Sequence, residues 1–421
     1  MMTLRQIIVV GMLGLMGGCT TINSTSFNNM SSAYRDAVEG YSNDNILLNV
    51  VRASKNMPMS FLDIPSVIGT GNVVTDVGLA TAQTSVGTAA VSSTTGGSLG
   101  LSVNNGFTFT QASLDNAQFL QSFLKEIPLG VLGLKGTERL LPRAVTYSLL
   151  LEGIELRSNN TLVQRFNNDP IDPNYDQFQQ LLYLLIESGL TVENAPIKTP
   201  IGPPLEKAVL TKSLEVLGPT TLDHIAKGVL SLDKTLVNGN EAYQLMRIEL
   251  KPRVCVNQFR AEELMGDLLS KSSYCLDSPR HRKPDQLYTQ SIKAFKSSYA
   301  GVKNMELVIG IRSPGNVFDF LGSVLNTQFE GDGSKMVMIH PTRSVLDSYN
   351  DRYKKSHPLF KVYRDTKAPR AAATVAYRGV TYSIADDDDS YTKEVIEFMS
   401  TLVTIAKIPG AIPATPAVVV R

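Results

Sequence analysis

The stretch from Ser66 to Ser113 most narrows what this chain can fold into, because it contains no Lys, Arg, Glu, His or Pro and a single acidic residue, Asp76. From Ser98 to Thr110 it alternates. Leu99, Leu101, Val103, Phe107 and Phe109 fall on one side, and Ser98, Gly100, Ser102, Asn104, Gly106, Thr108 and Thr110 on the other. Successive side chains of a strand point to opposite faces, so this pattern predicts a strand with one apolar and one polar face. Upstream, Val73 to Val91 has a similar composition with less regular alternation, and Ser92 to Gly97 supplies turn residues. Together they read as one long amphipathic hairpin over about 66–113. Two readings of it stay open. A membrane strand needs ~9–11 residues per crossing and shows this apolar/polar alternation. Open sheet edges are not tolerated in lipid, so such a hairpin must be completed by hairpins of other copies into a closed barrel. The alternative is a half-buried hairpin of an ordinary sandwich, or a loop rich in Gly, Ser and Thr. The missing charges favour the first reading, since solvent-exposed hairpins usually carry Lys or Glu. The irregular first arm favours the second.

The N-terminus predicts the compartment. Residues 1–18 carry one positive charge at Arg5, an apolar run from Ile7 to Met16, and small residues at Gly17 and Gly18, the layout of a secretory signal. The run is shorter than the ~20 apolar residues a permanent transmembrane helix needs. Met16-Gly17-Gly18-Cys19 resembles a lipobox, with Met16 in place of the usual Leu. That resemblance implies cleavage between Gly18 and Cys19 and a diacylglyceryl group on Cys19. Thr20 stands where an Asp would resemble an inner-membrane retention signal, so the outer membrane is the expected destination, with the protein mainly in the periplasm. One acyl chain binds marginally, whereas the usual lipoprotein complement of three anchors permanently. Residues 19–41 are read as a lipidated tether, polar and rich in Asn and Ser up to Met30.

Composition bounds the rest. A chain of 421 residues exceeds the usual single domain. Forty basic against 39 acidic residues leave a net charge of +1, so no field points to nucleic acid or an acidic substrate. Of three cysteines, Cys255 and Cys275 remain once Cys19 carries lipid, and in an oxidising compartment they are expected to form a disulfide worth roughly 3 kcal/mol. Two separately buried thiols are the alternative. A metal is not expected there, because no nearby Cys or His has ligand spacing.

The expected architecture is α+β: helices and the inserted hairpin over 42–190, then a mixed α/β domain over 205–421. A helix is expected from Ser42 or Asp44 to Ser54, with Ile46, Leu47, Val50 and Val51 on one face. Further helices are expected over Leu114–Glu126, Arg143–Glu155, Tyr175–Glu187, Leu205–Leu217 and Leu222–Leu232, with loops at 159–173 and 191–204. Tyr243–Leu250 and Met305–Ile311 read as strands. Ser313 then caps a helix with Pro314 at its first position. Short strands at Met336–Ile339 and Phe360–Tyr363, a hairpin around Arg378-Gly379 and a helix over Tyr391–Ile405 complete the chain.

Several blocks taken together carry a resemblance. Asn45-Ile46-Leu47-Leu48-Asn49-Val50-Val51-Arg52, Phe61-Leu62-Asp63-Ile64, Phe107-Thr108-Phe109-Thr110, Ile127-Pro128-Leu129, Ile311-Arg312-Ser313-Pro314 and Ala376-Tyr377-Arg378-Gly379-Val380-Thr381-Tyr382-Ser383-Ile384 resemble uncharacterised bacterial lipoproteins. The resemblance implies an anchored chain folding as one unit and carries no catalytic residue with it.

The chemistry-bearing residues give no motif. His224, His281, His340 and His357 lack metal-site spacing, and no nucleophile elbow, phosphate loop or dinucleotide fingerprint is present. Asp386 to Asp389 could hold calcium, but their place before Lys393-Glu394 reads as a helix start. The expectation is a non-enzymatic outer-membrane lipoprotein, a structural or pore-forming subunit that partners with itself or other envelope proteins. The alternatives are a monomeric periplasmic lipoprotein binding a partner protein or envelope polymer, or a hydrolase with a dispersed site.

Overall fold

In a computed structural model the described residues are 22–82, 94–114, 116–132, 141–237, 239–279, 302–329, 336–342, 354–366, 368, 370–386 and 388–407. The signal sequence with Gly18 and Cys19, the segment 83–93, His281 with its basic neighbours, Asp387 and the Pro-rich tail lie outside them. The chain is α+β and divides into two units.

The first unit takes in Met1–Asn45, Met59–Ser122 and Thr404–Arg421. Helix α1 spans Ile22–Ser54 and carries the chain from this unit into the second. The polar segment expected to be an irregular tether is therefore helical from Ile22. Helix growth adds one hydrogen bond per residue once a turn exists, and the packed stretch at Ile46–Val51 supplies that turn, so poor helix formers upstream are drawn in. Strands β1 (Leu62–Ala82) and β2 (Thr94–Ser113) pair antiparallel as a sheet of two. Thr94 to Gly97 are strand rather than turn, opposite Ala82 to Leu79. At the base of the hairpin the Leu114 amide donates to the Phe61 carbonyl, and Phe61 packs on Phe119 with ring centroids 5.7 Å apart. Phe119 belongs to helix α2 (Ala117–Leu124).

The second unit takes in Ile46–Pro58 and Phe123–Val403. Leu47, Val50 and Val51 at the end of α1 are fully buried, as their spacing requires. Helix α3 (Arg143–Leu150) passes without a loop into strand β3 (Leu151–Ser158), where a continuous helix to Glu155 was expected. Leu151, Ile154 and Leu156 are all buried, so the two-residue period of this central strand is hidden by burial on both faces. Strand β4 (Thr161–Asn167) follows, in place of an expected loop. Asn159 and Asn160 both have positive φ, 47° and 62°, the backbone of a two-residue hairpin turn. Helix α4 (Tyr175–Glu187) buries Phe178, Leu181, Leu182 and Leu185.

Strand β5 (Thr191–Glu206) replaces another expected loop. Its prolines are accommodated because it is an edge strand, and the pairing register slips between Ile201 and Leu205, around Pro203 and Pro204. Helix α5 runs unbroken over Lys207–Ala226, so Gly218-Pro219 does not divide it in two as expected. The helix ends at Gly228, with φ 71°, and strand β6 (Leu230–Val237) takes up Leu230 and Leu232. Strand β7 (Asn240–Cys255) lies between β5 and β6. Helix α6 (Gln258–Met265) leads toward strand β8 (Glu306–Ile311), which pairs with β3 in the order β4-β3-β8. The pairing of β3 with β8 joins a strand before residue 190 to one after residue 205, and both belong to this one unit.

Helix α7 (Pro314–Phe329) starts at the Ser313 cap, whose Oγ accepts from the Asn316 amide at 3.1 Å. The short strands β9 (Met338–Ile339), β10 (His357–Pro358) and β11 (Tyr363–Arg364) precede the hairpin of β12 (Ala371–Tyr377) and β13 (Val380–Ala385). Arg378 and Gly379 turn that hairpin at φ 51° and 81°, and helix α8 (Thr392–Ala406) closes the described chain.

Candidate functional site

The β1–β2 ladder begins with Leu62 opposite Ser113 and Asp63 opposite Ala112, shifts register, and then runs unbroken from Ser66 opposite Thr110 to Ala82 opposite Thr94. Leu99, Leu101, Val103, Phe107 and Phe109 stand opposite Val77, Thr75, Val73, Gly69 and Val67. Directly opposed positions share a face of a sheet, so Val67, Val73 and Val77 share a face with Phe109, Val103 and Leu99, with Thr75 and Gly69 opposite Leu101 and Phe107, while Ile68 and Val74 fall in the other set. This regularity was invisible in the first arm alone; only the register shows which positions of β1 belong to the apolar set. The other set holds Asn72 opposite Asn104, Thr70 opposite Gly106 and Asp76 opposite Gly100. β2 has 20 residues, ~65 Å at ~3.3 Å each, about twice the length of a membrane crossing. Among the described residues, neither strand pairs with any other strand. No helix of the described residues is long and apolar enough to cross a membrane.

The second unit has a polar cavity of about 300 Å³ beneath α7, with Glu152, Arg165, Asp169, Arg312, Asp319 and Phe320 among its lining. Arg312, 4% exposed, sits at the C-terminus of α3, where the last carbonyls of a helix lack partners. Its Nη1 donates to the carbonyls of Ser148 (3.1 Å) and Leu149 (2.9 Å), and its Nη2 to the carbonyl of Asn168. The Asn168 amide donates to the carbonyls of Ser148 (2.8 Å) and Leu151 (2.6 Å). The guanidinium stacks over Phe320, 4.0 Å from the ring centroid. Burial lowers its pKa to about 10, which leaves it charged at neutral pH and well placed against the negative end of the α3 dipole. Arg312 is thus a helix cap committed to backbone carbonyls. Sequence reading found it only as part of the Ile311–Pro314 block, because its partners lie more than 140 residues upstream.

Cys255, fully buried, is bonded to Cys275, with Cα atoms 4.9 Å apart. Arg253 straps the same loop to the sheet: it holds Glu193 through Nε and Nη2 at 2.9 and 2.7 Å and donates to the carbonyls of Ser272 and Tyr274. Among the described residues, the cluster spaced for a metal is Glu193 with these two cysteines, and a disulfide has no thiolate to offer. Asp386 pairs with Lys393, which holds its carboxyl below the usual range, and Asp388 accepts from the Ser390 amide at 3.0 Å. Ser390 Oγ in turn accepts from the Thr392 amide at the start of α8. These acids serve the helix start.

His340 Nδ1 lies 2.8 Å from Ser356 Oγ, and burial lowers the pKa of the imidazole. A hydrolytic site also needs a group orienting the other ring nitrogen and donors for an oxyanion. The other contacts of His340 are with Tyr183, whose hydroxyl accepts from the His340 backbone amide and whose ring lies 5.6 Å from the imidazole. The fold and its surfaces therefore define an α+β protein with a long hairpin whose two strands carry only Asp63 and Asp76 as charged residues. No known protein family, curated protein or solved structure matches the chain.

Proposed function

We propose that this chain is a lipid-anchored outer-membrane subunit, held by an acylated Cys19, whose β1–β2 hairpin joins those of neighbouring copies in a shared β-barrel. The observation that carries the reading is a two-stranded ladder of 19 pairs with both outer edges unpaired among the described residues. An isolated two-stranded hairpin is at best marginally stable in water, and two long open edges recruit further strands. The register brings Val67, Val73 and Val77 to the same face as Phe109, Val103 and Leu99, and from Ser66 to Ser113 the one charged residue is Asp76. Those are the requirements for a wall with lipid on one side and water on the other. Barrels of ~16–18 strands leave an aqueous channel, so about eight or nine copies would form one.

The competing reading is a monomeric periplasmic lipoprotein that binds a partner protein or envelope polymer. The polar cavity under α7 supports it. Light scattering with negative-stain imaging of the detergent-extracted, lipidated protein separates the two, beside a variant lacking residues 70–110. Rings that fall to monomers in the variant are expected. A monomer in both would sink the shared barrel and leave the tethered binder.

A further inference from the structure

From the register of the hairpin we infer that the pore admits cations in preference to anions, and that Asp76 sets this preference. The inference rests on the shared-barrel reading and goes beyond it by naming the class of solute. The antiparallel pairing sums opposed residue numbers to a constant between Ser66 and Ala82, so odd positions of β1 meet odd positions of β2 and even meet even. The odd set carries Val67, Val73, Val77, Leu101, Val103 and Phe107 among others and has no ionisable residue. In a barrel wall that set is the one lipid accepts, which assigns the even set to the water-filled lumen.

Position 76 belongs to the even set, opposite Gly100. It lies between Val67 and Leu79, the outermost apolar positions of the odd set on β1, a run of thirteen positions that spans ~30 Å when tilted as barrel strands are. Asn72, Thr70, Asn104 and Ser102 share its parity and are neutral. Asp76 is therefore the one fixed charge that each copy brings to this part of the wall. Symmetry places every copy of it at the same height, which produces a ring of carboxylates. Carboxylate rings in a low-dielectric passage concentrate cations and repel anions, and rings of acidic side chains are a general basis of cation selectivity. On the lipid face the same carboxylate would lose its hydration, which is a further reason for its parity.

The test is the permeability ratio of potassium to chloride, read from reversal potentials under a KCl gradient, for the lipidated protein in planar bilayers. Wild type is expected to favour potassium several-fold. Asp76→Asn should bring the ratio close to one, and Asp76→Lys should invert it, with rings of each variant verified by imaging. Asp223→Asn, an exposed helix carboxylate paired with Lys227, should keep the wild-type ratio. Conducting rings whose ratio is the same in wild type and both Asp76 variants would overturn the inference and leave the pore standing. A protein that forms neither rings nor conductance would overturn both.

Discussion

Arg312 shows how much a single side chain can hold together. Three carbonyls from two segments, at Ser148, Leu149 and Asn168, converge on its guanidinium, and its own amide donates to the Leu150 carbonyl at 2.8 Å. Lysine keeps the charge but offers a compact ammonium in place of a planar fork, and it stacks poorly on Phe320. Arg312→Lys is expected to cost about 2–4 kcal/mol, since buried carbonyls lose charge-assisted bonds. Urea unfolding of the two proteins measures this, and an unchanged midpoint would refute the capping role. At this scale the sequence spoke only where the partner was near. Ser313 was legible as a cap because its acceptor geometry is set three residues on, at Asn316. Arg312, one residue earlier, was not, because its partners are brought in by β3 and α3.

At the scale of elements, α7 and the end of α1 approach closely enough to exclude a methyl group. A Cβ built on Gly322 would stand 2.7 Å from the Ser54 amide nitrogen and 2.8 Å from the Ala53 carbonyl carbon. Because these are backbone atoms, the helices must part to admit it. Gly322→Ala is expected to lower stability by about 1–3 kcal/mol despite the better helix propensity of alanine. A thermal melt decides it: a raised transition would mean that propensity outweighs the clash. Helices α4 and α7 were legible because one buried stripe repeats every three to four residues. The Arg378-Gly379 hairpin was legible because Gly379 admits the positive φ that such a turn requires, between runs of alternating strand residues. Strands β3, β4 and β5 were misread for three separate reasons: burial on both faces, an Asn-Asn turn that also reads as loop, and prolines that only an edge position permits.

At the scale of the whole molecule, the hairpin unit and the larger α+β unit make different demands on stability. No strand of the second unit pairs with β1 or β2 among the described residues. Removal of residues 70–110 is therefore expected to leave the main thermal transition of the monomer within a few degrees of wild type. Differential scanning calorimetry reads this directly, and a collapse of the transition would show that the second unit needs the hairpin to fold. The sequence by itself determined the local patterns: the alternation and charge depletion of the hairpin, the buried stripes of the helices, the caps and the turn residues. Each depends on neighbours within one or two turns of chain. Tertiary structure alone decided which strands pair, that β3 meets β8 and β5 meets β7 across the middle of the chain, where Arg312 finds its carbonyls, and which residues of β1 share a face with Phe107 and Phe109. Those relations join residues far apart in sequence. They are selected by the free energy of packing the whole chain, to which no local period corresponds.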